Sequence, residues 1–131
     1  RQMCIRDSSS IVKAEPYPVL TEKQIDGFDL VVCCADNLDV RRLLYRTDTK
    51  WLDLRAQGRN GAFISYMTPK NMFDVVLAGP DGSFSCQGDT WEGDKSGLHF
   101  THVCIAGMAA EWIQRWFVDN DDVSNYKVMN I

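Results

Sequence analysis

The chain has 131 residues, 45% hydrophobic and 24% charged, with 14 Lys+Arg against 18 Asp+Glu and a formal net charge of −4. That length and apolar fraction fit one compact domain with its own core and exclude an intrinsically disordered segment. The acidic balance argues against nucleic acid as a partner. No apolar run approaches the roughly 18 residues of a membrane span, so no membrane partner is expected either.

Arg1 to Ser8 lacks the apolar core and cleavage site of a signal peptide. It resembles the translation of a sequencing adaptor, so residues 1–8 are expected to be non-native and residues 9–131 to start part-way through a longer protein. Ser9 to Ala14, with Ile11-Val12, predicts a strand stopped by Pro16 and Pro18. Thr21-x-x-Gln24 has capping-box spacing and predicts a short helix over Thr21 to Ile25, ended by the Asp26-Gly27 turn. Leu30 to Ala35 is continuously apolar, the pattern of a parallel strand covered on both faces. Leu38 to Arg46 reads as a helix with Val40, Leu43 and Leu44 on one face, capped by Asp36 or Asn37.

Trp51 to Arg55 predicts the next strand, and Gly58-Arg59-Asn60-Gly61 a turn. Ala62 to Tyr66 and Phe73 to Ala78 predict two more strands. Asp81 to His99 is polar and glycine-rich without a period, which predicts a long loop. His102 to Val118 predicts a helix with two apolar stripes. One is Val103, Ala106, Ala110, Ile113 and Phe117; the other is Ile105, Met108, Trp112 and Trp116. Such a helix should be sandwiched between the sheet and another helix or subunit. Tyr126 to Ile131 predicts a final edge strand. Together these elements predict an α/β fold with a mixed sheet flanked by helices.

No Cys-x-x-Cys spacing occurs, so the cysteines are read as free thiols of a cytoplasmic protein. Cys33, Cys34 and Cys104 are expected to be packed, and Cys86 to lie in the long loop, where Ser85, Gln87 and Asp89 supply no positive charge and only Lys95 and His99 are candidates to approach it. His99 and His102 lack a third ligand at metal-site spacing and are read as capping or surface residues. Trp91, in the same loop, reads as a loop anchor or a contact for a partner peptide.

The segment richest in chemistry is Leu30 to Arg41. An apolar strand releases Asp36 and Asn37 at its carboxyl end, where open α/β sheets bind ligands. A carboxylate there suits Mg²⁺ beside nucleotide phosphates, and the start of the following helix adds donors and positive dipole. The plainer alternative is that Asp-Asn only caps the helix. No Gly-x-Gly-x-x-Gly or Gly-Lys-Ser/Thr loop is present, so any phosphate loop would lie upstream.

The order Gly27-Phe28-Asp29, apolar strand, Ala35-Asp36-Asn37, Arg41, Leu43-Leu44, strand Trp51 to Arg55 and turn Gly58/Gly61 resembles the second half of the ThiF/MoeB/HesA adenylyltransferase domain. This is the fold of ubiquitin-activating enzymes. Two features depart from the family: Tyr45 stands where many members carry Asn, and Asp53-x-Arg55 precedes the turn. The resemblance implies a Rossmann-like fold missing its N-terminal nucleotide-loop half. It also implies a homodimer that adenylates the C-terminal carboxylate of a ubiquitin-like or sulfur-carrier protein with ATP and Mg²⁺. It gives Asp36 to Mg²⁺ and catalysis, Asp36, Asn37 and Arg41 to the ATP crevice, and Cys86 to a possible thioester or persulfide step. Arg41 has an equally ordinary alternative, an exposed helix arginine paired with Asp39 or Asp48. By itself the chain would then be an inactive part of an enzyme. The alternatives are a non-catalytic ThiF-like binding or scaffold module, or a piece of a dinucleotide-binding oxidoreductase.

Overall fold

The structure, a computed structural model, describes residues 14–73, 99–118 and 123–131. They form a four-stranded mixed sheet in the order β1 (Val31–Cys33), β2 (Trp51–Gln57), β3 (Asn60–Ser65) and β4 (Tyr126–Asn130). β1 runs parallel to β2, while β2–β3 and β3–β4 are antiparallel. Helix α1 (Leu38–Leu44) joins the parallel pair, and α2 (Thr101–Val118) precedes β4. The α/β class with a mixed sheet is therefore present.

Because side chains alternate along a strand, the two faces separate cleanly. On one face Cys33, Trp51 and Ile64 pack with Leu44 of α1 and with Ile25. On the other, Leu52 and Phe63 pack with Ala109, Trp112 and Trp116 of α2. Among the described residues, each face of the sheet thus carries one helix. The two-residue turn Gly58-Arg59 closes the β2–β3 hairpin with Gly58 at φ +55, a left-handed conformation that favours glycine.

Several expectations change in the structure. The capping box is present, but it holds a single 3₁₀ turn, Glu22–Gln24; Gln24 Oε1 accepts from the Thr21 backbone N–H at 3.0 Å. β1 is three residues long rather than six. Among the described residues it has one neighbour, so Val32 stays 39% exposed instead of being covered on both faces. The first helix stops at Leu44, two residues early, and tightens beyond it into i→i+3 bonds, with Arg46 N–H donating to the Leu43 carbonyl at 3.2 Å and Thr47 N–H to that of Leu44 at 3.2 Å. Cys34 and Cys104 are exposed, not packed, and only Cys33 of the three is buried. Cys34 falls just past the end of β1, and Cys104 lies beside the buried stripe rather than in it.

α2 is not sandwiched within the described residues. Its Ile105/Trp112/Trp116 stripe is buried on the sheet, while Val103 and Phe117 of the other stripe are 56% and 66% exposed. The strand expected over Ser9 to Ala14 lies outside the described residues except for Ala14, which is not in a strand. Of the strand expected over Phe73 to Ala78 only Phe73 is described, and of the long loop only His99. Cys86, Trp91 and Lys95 also lie outside. No described helix is long and apolar enough to cross a membrane.

Candidate functional site

The carboxyl ends of the parallel strands β1 and β2 point the same way, and Asp36 follows β1 there. Asn37 begins α1 as its N-cap: Oδ1 accepts the Asp39 backbone N–H at 2.7 Å. This satisfies one of the donors that a helix start leaves unpaired. The capping alternative is thus realised by Asn37, which leaves Asp36 exposed and outside the helix.

Asp36 lies where two clefts meet. A cleft of about 270 Å³ on the α1 face is bounded by Asp36, Leu38, Arg55, Gln57, Asn60 and Val128. A second, of about 600 Å³, opens toward α2 between Cys34, Asp36, Leu54, His102, Ile105 and Ala106. Arg41 and Arg55 line both. The strand-end placement expected for the acid is therefore present, with apolar walls and a few polar groups, the usual make-up of a ligand cleft.

Arg41 is not the exposed helix arginine that was one of its two alternatives. Only 4% of it is exposed, and its Nε donates to both Asp53 carboxylate oxygens at 3.0 Å. Nη2 donates to the Leu54 carbonyl at 3.0 Å. Asp39 takes Arg42 instead, at 3.0 Å on the surface. Tyr45, one turn beyond Arg41, donates its hydroxyl to Asp53 Oδ2 at 2.5 Å while its ring stacks on Trp51. The two departures from the family pattern, Tyr45 and Asp53, therefore belong to one buried network.

This network sets the local electrostatics. Burial pushes the Asp53 carboxyl up, and Arg41 with the Tyr45 hydroxyl offsets only part of that. Burial raises the Tyr45 hydroxyl, and the negative charge of Asp53 raises it further. Cys33, the register partner of Asp53, is pushed up to about 11 by burial and then by that same carboxylate. Cys34 is raised for the same two reasons. The Arg55 guanidinium is lowered by partial burial and by the like charge of Arg41, against the pull of Asp53.

Of the residues singled out in the sequence, Asp36, Asn37 and Arg41 come together, while Cys86 lies outside the described residues. Asp53, Tyr45 and Arg55 were missed as site residues. The signal for the first two was the i, i+4 spacing of Arg41 and Tyr45 on a helix facing an acid inside an apolar strand. Asp36 supplies a hard oxygen donor suited to Mg²⁺, whereas Cys34 and His102 are softer donors. Among the described residues no group of three or more His, Cys, Asp or Glu side chains converges on a metal position. In comparisons with known proteins, no family and no curated sequence matches this chain.

Proposed function

We propose that the chain is the C-terminal part of a ThiF-like, ATP-dependent adenylyltransferase acting on the C-terminal carboxylate of a small ubiquitin-like or sulfur-carrier protein. The observation that carries this reading is the position of Asp36, an exposed acid just past the carboxyl end of β1 and common to two clefts. The strand–helix–parallel strand order followed by antiparallel strands supports a Rossmann-like sheet.

In the proposed reaction a carboxylate oxygen of the carrier attacks the α-phosphorus of ATP. A P–O bond forms, the bond to the α,β-bridging oxygen breaks, and pyrophosphate leaves with the electron pair. Mg²⁺, when bound, neutralises phosphate charge, and Asp36 is the described residue that would hold it. Asn37 fixes the turn that presents Asp36. Arg41 acts from within the fold, its Nε and Nη2 being engaged by Asp53 and Leu54. Arg55 brings positive charge to the wall of both clefts, where a partly dry setting strengthens its effect on a developing negative charge. The outward stripe of α2 is the face we assign to a homodimer contact.

The test is ATP–pyrophosphate exchange by the full-length protein beside Asp36→Ala. The expected loss is on the order of 100-fold or more, the scale of removing one charge-stabilising group. Undiminished exchange in the variant removes Asp36 from the mechanism. A second reading, a non-catalytic module that binds a β-grasp protein, is favoured by one observation: Asn37 and Arg41 spend polar atoms inside the fold. Carrier binding without exchange in the unaltered full-length protein supports that reading.

A further inference from the structure

β2 carries an acid whose neighbours on the same face are apolar on three sides, with Arg55 following it on the fourth. Asp53 is fully buried, in register with Cys33 on one side and Ile64 on the other, and Trp51 precedes it on that face. An aliphatic side chain would fill such a position without the desolvation that a buried carboxylate carries. The acid instead collects two side chains from α1. Arg41 and Tyr45 stand four residues apart, hence on one helix face, and converge on the same carboxylate.

The element they hold needs holding. α1 has seven residues, too few to persist through its own hydrogen bonds. Its position therefore comes from tertiary contacts: Leu38 and Leu44 in the core, and the grip on Arg41 and Tyr45. The first residue outside the helix is its cap, Asn37, and the next is Asp36. Any sliding or rotation of α1 moves Asp36 with it.

We infer that Asp53 is a positioning residue: by gripping Arg41 and Tyr45 from inside β2 it sets the height and rotation of α1, and through the Asn37 cap fixes where Asp36 presents its carboxylate. The consequence for chemistry rests on the function proposed above; the placement of the turn does not.

Arg41→Lys is the informative variant, because it keeps the charge while losing the planar fork that spans both Asp53 oxygens and the Leu54 carbonyl. In the full-length protein, kcat for ATP–pyrophosphate exchange is expected to fall about 100-fold, as misplacement of a reacting group by an ångström does. KM for ATP is expected to stay within about threefold, since ground-state binding is retained. Tyr45→Phe keeps the ring stack, removes only the hydroxyl, and is expected to lower kcat in the same direction. It takes over the test if Arg41→Lys does not fold. A folded variant with unchanged kcat, or with KM alone altered, overturns the inference.

If the unaltered protein shows no exchange, the proposed function fails and the placement is read separately. Cys34 lines the same cleft as Asp36, and Cys104 on α2 serves as an exposed reference. The ratio of their iodoacetamide rates, read by peptide mass spectrometry, is expected to change in the charge-preserving variants. An unchanged ratio overturns the positioning role.

Discussion

Tyr45 and Trp51 stack with ring centroids 4.7 Å apart, and this contact aims the Tyr45 hydroxyl at the buried carboxylate two residues further along β2. Phe73 completes the group, 4.7 Å from Tyr45 and 5.7 Å from Trp51. Aromatic packing and the bond to Asp53 thus hold the same side chain. An apolar cluster and a charged pair share one wall, joined through Tyr45.

Breaking that pair from one side should be costly. Asp53→Ala leaves Arg41 buried without its carboxylate, and the expected loss is about 3–5 kcal/mol, the range for an orphaned buried charge. Replacing both partners, Arg41→Met with Asp53→Leu, should recover most of the loss, because no uncompensated charge remains. Urea unfolding of the two variants beside the parent measures this. A double variant as unstable as Asp53→Ala would show that the site needs the charges for stability.

The same wall should make the protein labile in alkali. Cys33 has a folded value of about 11 against an ordinary 9.0, so above pH 9 the unfolded chain gives up this proton first. The folded state then holds more protons than the unfolded one, and stability falls as pH rises. The loss runs from about pH 9 to pH 11 and amounts to roughly 2–3 kcal/mol for a shift of this size. Tyr45, raised in the same direction, adds to it at higher pH. Chemical denaturation at pH 8, 9 and 10 tests this, and Cys33→Ala should flatten the first part of the decline.

Much of this arrangement is legible in the residues because it follows local rules. The apolar run before Asp36 marks a strand, Asn37 suits a cap, and the spacing of Ile105, Trp112 and Trp116 marks one apolar stripe of α2. What local rules miss is pairing across the fold. A helix arginine beside acids in sequence reads as a surface ion pair, yet Arg41 passes over Asp39 for Asp53, twelve residues away on another element. Cys34 reads as core because its neighbours are apolar, but the strand ends at Cys33 and the next side chain is set free. The two stripes of α2 are both visible, whereas the choice of which one meets the sheet depends on the shape of β3.

Gly61 makes that choice possible. A methyl group at this position would stand 2.6 Å from Ile105 Cγ1 and 2.8 Å from Thr101 Cγ2, both on the first two turns of α2. Thr101 also donates its hydroxyl to the Gly58 carbonyl at 2.7 Å, which ties the helix start to the hairpin turn. Gly61→Ala should therefore lift α2 and cost about 1–3 kcal/mol through overpacking. That exceeds the roughly 0.4–1 kcal/mol that alanine contributes by restricting the unfolded chain. Thermal melting of Gly61→Ala decides the sign, and an unchanged or higher midpoint would mean that Ile105 and Thr101 give way freely.

The two stripes of α2 should respond unequally to substitution. Trp112 is 4% exposed, packs with Leu52 and Phe63, and donates its indole N–H to the Ser124 carbonyl at 2.9 Å. Trp112→Ala removes the packing and also unpairs that carbonyl in the connection to β4, for an expected loss of about 3–5 kcal/mol. Val103 is 56% exposed on the opposite side, and Val103→Ser should change stability by less than about 0.5 kcal/mol. Paired unfolding curves at one protein concentration read both effects. Repeating them at higher concentration reads something further: a second copy seated on the outward stripe would make Val103→Ser costly only when the chain is concentrated, because association then adds to folding stability.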